Sequence, residues 1–436
     1  MLEKKFLLFS FLLLVVSPGY SQNLLETYQL ALENDPILKQ ALANRKATDE
    51  IKYQNIAQML PQISGRVESN FNRLKNKKIN FQGQGIQEYY EHSYSINLTQ
   101  PIFHWEHWVQ LSQADNQIAQ AEAQYLAEQQ NLITRTSEAY FNILAAQDAL
   151  EFTIAEKNAI AQQLEQAEQR FKVGLIAITD VHEARAGFDK ARADEIAAIN
   201  EVDNTKEALR EIIGDQDVLL STLALEVPLA NPEPADIEKW SKNAQEQNLE
   251  IISAFNETEV ARKKIALERS GHLPQLDLIA SHRESDNNSS FGLRGDVQQV
   301  GLQLNVPIFE GGGVYFRTRQ AEQQYIQAKE KLIAKKRQIE RQVKDAYRGV
   351  ISSISQVEAL KASVISAESA LEATEAGFDV GTRTMIDVLT ATRNLTRAKS
   401  DHSKARYEYI INSIKLKQSA SILNVEDLQA INAYLQ

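Results

Sequence analysis

Two stretches of the chain decide its fold: FKVGLIAITDV at residues 171–181 and FDVGTRTMIDV at residues 378–388. They repeat one another after 207 residues, with Phe, Val, Gly, Asp and Val at matching positions. Each interrupts a long, alanine-rich pattern without proline, which is typical of a helix. A glycine just past a helix end can adopt the left-handed conformation that terminates it. Each stretch is therefore predicted to be the tip of a helical hairpin.

The composition excludes several classes of function. The 436 residues carry a net charge of −11, which disfavours nucleic acid as a partner because phosphate binding needs a basic surface. There is no cysteine, so disulfides, thiol catalysis and thiolate metal sites are excluded. No grouping of a nucleophile with a base stands out. We therefore expect neither an enzyme nor a cofactor.

The first 21 residues have the pattern of a secretory signal peptide. Lys4 and Lys5 precede an apolar run over residues 6–16, and Gly19 and Ser21 are small residues suited to cleavage. The run is shorter than the roughly 20 apolar residues of a membrane-spanning helix. The sequence thus predicts an exported protein without a transmembrane helix.

The remainder is predicted to be a duplication. Leu-Pro-Gln occurs at residues 60–62 and 273–275, and Pro-Ile-Phe at residues 101–103 and 307–309. The predicted plan is a first repeat, a proline-rich linker, a second repeat that opens with one helix, and a C-terminal segment. Their bounds are 22–227, 228–236, 237–421 (helix about 237–269) and 422–436.

Each repeat is predicted to contain two strands and one long hairpin. The strands cover about 62–73, 90–100, 275–284 and 297–306, and a polar loop follows the first of them over residues 73–89. In the clearest strand, Tyr90, Tyr94 and Ile96 alternate with polar residues, as in a strand with one apolar and one polar face. The hairpins cover about 107–213 and 313–421. A seven-residue apolar spacing, as in coiled coils, runs through the first of them.

The strands have the length and alternation of membrane-spanning β-strands. Phe103, Trp105, Trp108 and Phe309 follow the strands, where an aromatic belt would meet the membrane interface. Four strands cannot close a barrel, and an open edge cannot face lipid. Either several chains pool their strands, twelve in a trimer, or the strands form an ordinary soluble sheet.

Two histidines, at positions 104 and 107, lie three residues apart and could share a helical face as metal ligands. Because tryptophans flank them at the predicted membrane interface, we interpret them as interfacial residues, and no metal site is expected.

These features resemble the TolC family of outer-membrane efflux ducts over nearly the whole mature chain. The tips carry the most specific likeness, namely residues 173–181 and 380–384. The resemblance implies a mainly helical fold, a homotrimer with a twelve-stranded barrel in outer-membrane lipid, and a periplasmic helical tunnel. It also implies a periplasmic adaptor (membrane fusion) protein and an inner-membrane pump or ABC exporter as partners, for multidrug efflux or type I secretion. The alternative is a soluble periplasmic coiled-coil adaptor or scaffold.

The resemblance also assigns a gate at the entrance of the tunnel. It implies that Arg383 of the second tip links to Thr179 and Asp180 of the first, and that Asp387 forms a ring of three acids. Phe378 lies where relatives have a tyrosine whose hydroxyl ties the tip, which predicts a looser entrance. A second acid of the family is Thr390 here, which predicts weaker cation selectivity. Both aspartates could equally be ordinary caps of the helices that they begin.

The turns themselves are implied to contact the adaptor. The matching positions are Val173, Gly174, Leu175, Val380, Gly381 and Thr382. The two glycines also serve as helix terminators, whatever else they do.

Overall fold

A computed structural model describes residues 21–76, 85–216, 218–224, 226–287 and 294–436. The predicted signal peptide, except Ser21, and residues 77–84 of the polar loop predicted at 73–89 lie outside these residues. Residues 73–76 and 85–89 belong to strands, so the predicted loop is too long. The chain forms two compact units. We call Gln40–Ala127 with Gln245–Glu340 the sheet unit, and Met1–Lys39, Glu128–Ala244 and Arg341–Gln436 the tip unit.

Four antiparallel strands form one sheet in the sheet unit, in the order β1-β2-β3-β4. All four strands are longer than the sequence pattern predicts, because pairing continues past the strictly alternating residues. Their bounds are Gln62–Asn76 (β1), Gly85–Phe103 (β2), Gln275–Asn287 (β3) and Arg294–Asn305 (β4).

The strand register gives the sheet one apolar and one polar face. One row across the four strands consists of Ile63, Leu98, Ala280 and Val300. The next row consists of Ser64, Asn97, Ser281 and Gln299. Successive side chains of a strand point to opposite faces, so these two rows lie on opposite sides of the sheet. The predicted alternation is thus confirmed across strands from both repeats.

Four helices form the two hairpins, as the sequence predicts. The first hairpin consists of α3 (Trp105–Lys172) and α4 (Ile178–Ile213), and the second of α7 (Gly313–Asp379) and α8 (Met385–Ser419). In the part of the chain that the structure describes, no helix has a window apolar and long enough to cross a bilayer.

The single helix predicted at about 237–269 is wrong, because the structure has two helices there. They are α5 (Ile237–Gln247) and α6 (Leu249–Arg269). Asn248 between them adopts an extended conformation, and its side-chain oxygen accepts hydrogen bonds from Glu250 N (3.0 Å) and Ile251 N (3.2 Å). Asparagine is a strong N-cap, so it begins a new helix although the apolar pattern continues.

The other helices among the described residues are α1 (Leu24–Asn34), α2 (Pro36–Ala57), α9 (Val425–Asn432) and a single 3-10 turn (Ser270–His272). Within the tip unit, Asp35 caps the start of α2 by accepting a hydrogen bond from Leu38 N. The same carboxylate, almost fully buried, pairs with Arg135 at 2.9 Å. The C-terminus pairs with residues 222–224 through backbone hydrogen bonds. These contacts fix the region from which the hairpins extend.

Candidate functional site

The two tips are helix-terminating turns of the same type. In the first, Gly174 has a φ of +76° and donates to Phe171 O, while Leu175 N donates to Arg170 O at 2.9 Å. In the second, Gly381 has a φ of +80°. There, the N–H groups of Gly381 and Thr382 donate to Phe378 O and Gly377 O. This pair of bonds is the Schellman motif, and glycine suits its left-handed position because it has no Cβ.

The turns present apolar side chains to solvent. Val173, Leu175 and Val380 are 70%, 73% and 76% exposed. Neither Gly174 nor Gly381 has an atom within 4 Å of the position where a Cβ would stand. Exposed apolar side chains on a rigid turn, with open space beside them, are features of a docking surface. The local helix-terminating role of both glycines is confirmed.

The second helix of each hairpin begins with an aspartate in the third helical position. Asp180 accepts a hydrogen bond from Ala177 N at 3.2 Å. Asp387 accepts from Thr384 N (2.8 Å) and Thr384 Oγ1 (2.9 Å). These donors lower the pKa of the Asp387 carboxyl, the backbone hydrogen bond having the larger effect. Both acids therefore cap helices, and their role in a gate stays a prediction.

A small apolar core holds the two hairpins together near their tips. It includes Ile160 and Ala167 of α3, Val181 and Ala184 of α4, and Leu389 of α8, with Phe378 packed against it. Gly187 of α4 permits the close approach of α8. A Cβ at this position would lie 3.3 Å from Leu389 Cδ1 and 3.6 Å from Ile160 Cγ2.

An ion pair links the hairpins at the level of the turns. Arg170 Nη2 of α3 donates to Asp379 Oδ1 of α7 at 2.6 Å. The same guanidinium lies over the Phe378 ring, 4.8 Å from its centroid. We call Arg170, Phe378 and Asp379 the tip clasp. The sequence analysis did not identify Arg170 or Asp379. Their signal was opposite charge in the last turn before each of the two repeated glycines.

Arg383 forms no ion pair or hydrogen bond through its guanidinium within the described part of one chain. Its stem lies against Gly377, where a Cβ would stand 2.7 Å from Arg383 Cγ. The absence of a side chain at position 377 therefore permits this conformation. The predicted partners Thr179 and Asp180 do not contact it within the chain, and the link remains a prediction for neighbouring chains.

The strand bases carry the predicted aromatic residues. Phe103, Trp105, Trp108 and Phe309 are all exposed, Phe309 by 86%. Beside them, His104 lies between two carboxylates: its Nδ1 is 3.1 Å from Glu106 Oε1, and its Nε2 is 3.0 Å from Asp277 Oδ1.

Local electrostatics set the pKa values in this histidine cluster. Burial lowers the pKa of the His107 imidazole, and His104 adds to this effect. Burial opposes ionisation of Glu106, but hydrogen bonds from its own backbone, His104 and Gln275 outweigh it and lower the pKa of that carboxyl.

An amphipathic sheet with an aromatic margin and two long hairpins with matched turns make up a fold that is found in outer-membrane channels. The solved outer-membrane channel CmeC of Campylobacter jejuni has this fold: the TM-score is 0.80 over 95% of this chain and 90% of that one, at 16% identity.

The chain belongs to the outer membrane efflux protein family, whose model matches residues 27–215 and 240–421. It is 41% identical to the outer membrane protein TolC of Vibrio cholerae over 96% of this chain and 95% of that protein. It is 29% identical to the alkaline protease secretion protein AprF of Pseudomonas aeruginosa over 97% and 89% of the two chains. The protein is an outer-membrane exit duct of the kind that serves efflux and type I secretion. Nothing in the comparisons favours the soluble scaffold.

Proposed function

We propose that three copies of this chain pool their sheets into a twelve-stranded barrel. The observation that carries this proposal is the pair of open sheet edges: among the described residues, β1 and β4 each pair with one strand only. Backbone groups at an open edge have no partners in lipid, so an edge within the membrane must be paired. Pairing β4 of one copy with β1 of the next satisfies both edges. The apolar face then contacts lipid, and the polar face lines the pore.

Neighbouring residues of β4 test this arrangement. Gln299 and Val300 lie on opposite faces, and the chain has no native cysteine. In planar bilayers, a charged water-soluble thiol reagent is expected to reduce the conductance of Gln299→Cys but not of Val300→Cys. A lipid-soluble fluorophore is expected to report an apolar environment only at Val300→Cys. Equal reaction of both sites, without conductance, would support the soluble scaffold instead.

The proposed duct consists of two repeats, 22–227 and 237–421, joined by the linker 228–236. The matched turns at the two tips support this duplication, since both end a long helix with the same pair of hydrogen bonds. The proposed division leaves 422–436 as a terminal segment, which forms backbone hydrogen bonds with residues 222–224.

The proposed partners are a periplasmic adaptor at the turns and an inner-membrane pump or ABC exporter beyond it. The exposed side chains of Val173, Leu175 and Val380 support docking of an apolar partner surface. The relatives named for efflux and for protease secretion support both kinds of cargo. Crosslinking from Leu175→Cys in cells is expected to capture the adaptor. Ile196→Cys, an exposed apolar position on α4 away from the turn, is the matched control.

The proposed gate is the ring of tips. Three copies of Asp387 would place three carboxylates at the entrance, where a ring of acids attracts cations. The low pKa of this carboxyl supports the charged form. The predicted links from Arg383 to Thr179 and Asp180 would join neighbouring copies, since no such contact forms within one chain. Conductance of Asp387→Asn is expected to lose cation selectivity, whereas Asp401→Asn, farther along the same helix, is expected to retain it.

A further inference from the structure

The junction between β2 and α3 brings together metal-ligating side chains. His104, Glu106 and His107 offer ligand atoms that all lie within 4.8 Å of one another. The two imidazole rings stack, with centroids 4.9 Å apart and planes 11° apart. Strand β3 adds Asp277 beside His104 and Gln275 beside Glu106. The sequence interpretation of the histidines as interfacial residues did not include these neighbours from β3.

The surroundings of His104 suit a positive charge, whether a proton or a metal ion. Both ring nitrogens face a carboxylate oxygen, at 3.1 Å and 3.0 Å. A neutral imidazole has one N–H, so it can satisfy only one of these two acceptors. The other contact then brings two lone pairs together, unless a second proton or a metal ion lies there.

The neighbouring groups leave coordination positions open. The ring nitrogens of His107 form no hydrogen bond within the described parts of the chain. Glu106 Oε1 already accepts from Gln275 Nε2 at 2.7 Å, which fixes the carboxylate and leaves further lone pairs. Ligand atoms at about 2.1 Å from a tetrahedral ion lie about 3.4 Å apart. The three ligand atoms, which lie within 4.8 Å of one another, therefore need to approach by at most about 1.4 Å.

We propose that His104 Nδ1, Glu106 and His107 bind a divalent transition-metal ion, Zn²⁺, with water completing the coordination. Two imidazoles with one carboxylate are a typical nitrogen–oxygen donor set for zinc, and the chain offers no thiolate to select a softer ion. Asp277 accepts the remaining N–H of His104, which fixes the tautomer that presents Nδ1 to the metal.

The proposed ion stabilises the base of the sheet. His104 directly precedes α3, Glu106 and His107 lie on the first turn of α3, and the groups that orient them lie on β3. One bound ion thus couples the start of a long helix to a strand from the other repeat. Because the sheet and these ligands belong to the same compact unit, the proposal does not depend on the gate.

Equilibrium dialysis of the tag-free, detergent-solubilised protein against Zn²⁺ tests the proposal, with Co²⁺ absorption as a report on coordination. An Asp387→Asn background removes the acidic ring as a competing cation site. One ion per chain is expected, and it is expected to be lost in both His104→Gln and His107→Gln. His92→Gln and His282→Gln, two histidines of the strands, are the matched controls and are expected to retain it.

Asp277→Asn tests whether Asp277 orients His104 or binds the ion itself. It is expected to lower Zn²⁺ affinity about 10- to 100-fold while leaving the Co²⁺ spectrum unchanged. Channel conductance of each variant shows that the protein has folded. Zn²⁺ binding that is absent from the background protein, or that persists unchanged in His104→Gln and His107→Gln, would overturn the proposal.

Discussion

Asp379→Asn is expected to loosen the closed entrance of the duct. The substitution removes the carboxylate that accepts from Arg170 at 2.6 Å and keeps the size of the side chain. Asp379 is 66% exposed at its side chain, and Arg170 is 31% exposed, so the pair is partly screened by solvent. An exposed pair contributes about 0.2–1 kcal/mol. The guanidinium stays over the Phe378 ring, so the aromatic contact is not lost with the ion pair.

Threefold repetition multiplies the effect of a small contribution. If three clasps open together, their loss amounts to about 0.6–3 kcal/mol, which changes the ratio of closed to open entrances roughly 3- to 150-fold. The assay is the open probability of single channels in planar bilayers, recorded at low and high salt. The difference between wild type and Asp379→Asn should shrink at high salt, because screening weakens exposed pairs.

The control is an ion pair of the same kind that does not join the hairpins. Arg185 and Glu168 pair at 2.7 Å between the two helices of the first hairpin. Glu168→Gln is expected to leave the open probability unchanged. Exchanging the charges, Arg170→Asp with Asp379→Arg, is expected to restore closure that each single substitution loses. Equal open probabilities in wild type and Asp379→Asn, or no rescue by the exchange, would refute the clasp.

Three further substitutions have expected outcomes. Phe378→Tyr adds a hydroxyl that could tie the two tips and should lower the closed-state conductance; an unchanged or higher value would contradict the looser-entrance prediction. Because Thr384 donors lower the pKa of Asp387, the charged carboxylate stabilises the start of its helix above pH 3.8 and loses this effect as pH falls through the lowered value. Thr384→Val should therefore raise the pH at which cation selectivity disappears. Loss of selectivity at the same pH in the variant and the wild type would count against this prediction. Arg135→Met leaves Asp35 buried without a cation, which should destabilise the protein by about 3 kcal/mol in denaturant unfolding; a loss within error would show that the carboxylate finds another partner.

Features that depend on near neighbours in the chain were predictable. Gly174 and Gly381 terminate their helices because glycine tolerates a positive φ, and this property belongs to the residue itself. The two faces of the sheet follow from strict alternation, which any strand pairing of the correct register preserves. The capping role of Asp387 follows from its place three residues after Thr384.

Features that depend on two distant segments were not predictable. One local feature also escaped prediction, namely the break at Asn248, where a capping residue overrode a continuous apolar pattern. The close contact of Gly187 with Leu389 depends on the rotation and height of two packed helices, which local patterns do not specify.

The sequence by itself determined the hairpin tips, the amphipathic strands and the duplicated order of elements, since all of these are set by backbone conformation and side-chain periodicity. Only the tertiary structure decided that Arg170 meets Asp379, and that Asp277 completes the surroundings of His104. Charges and ligands act over a few ångströms, and that distance is set by helix packing and strand register between residues far apart in the chain.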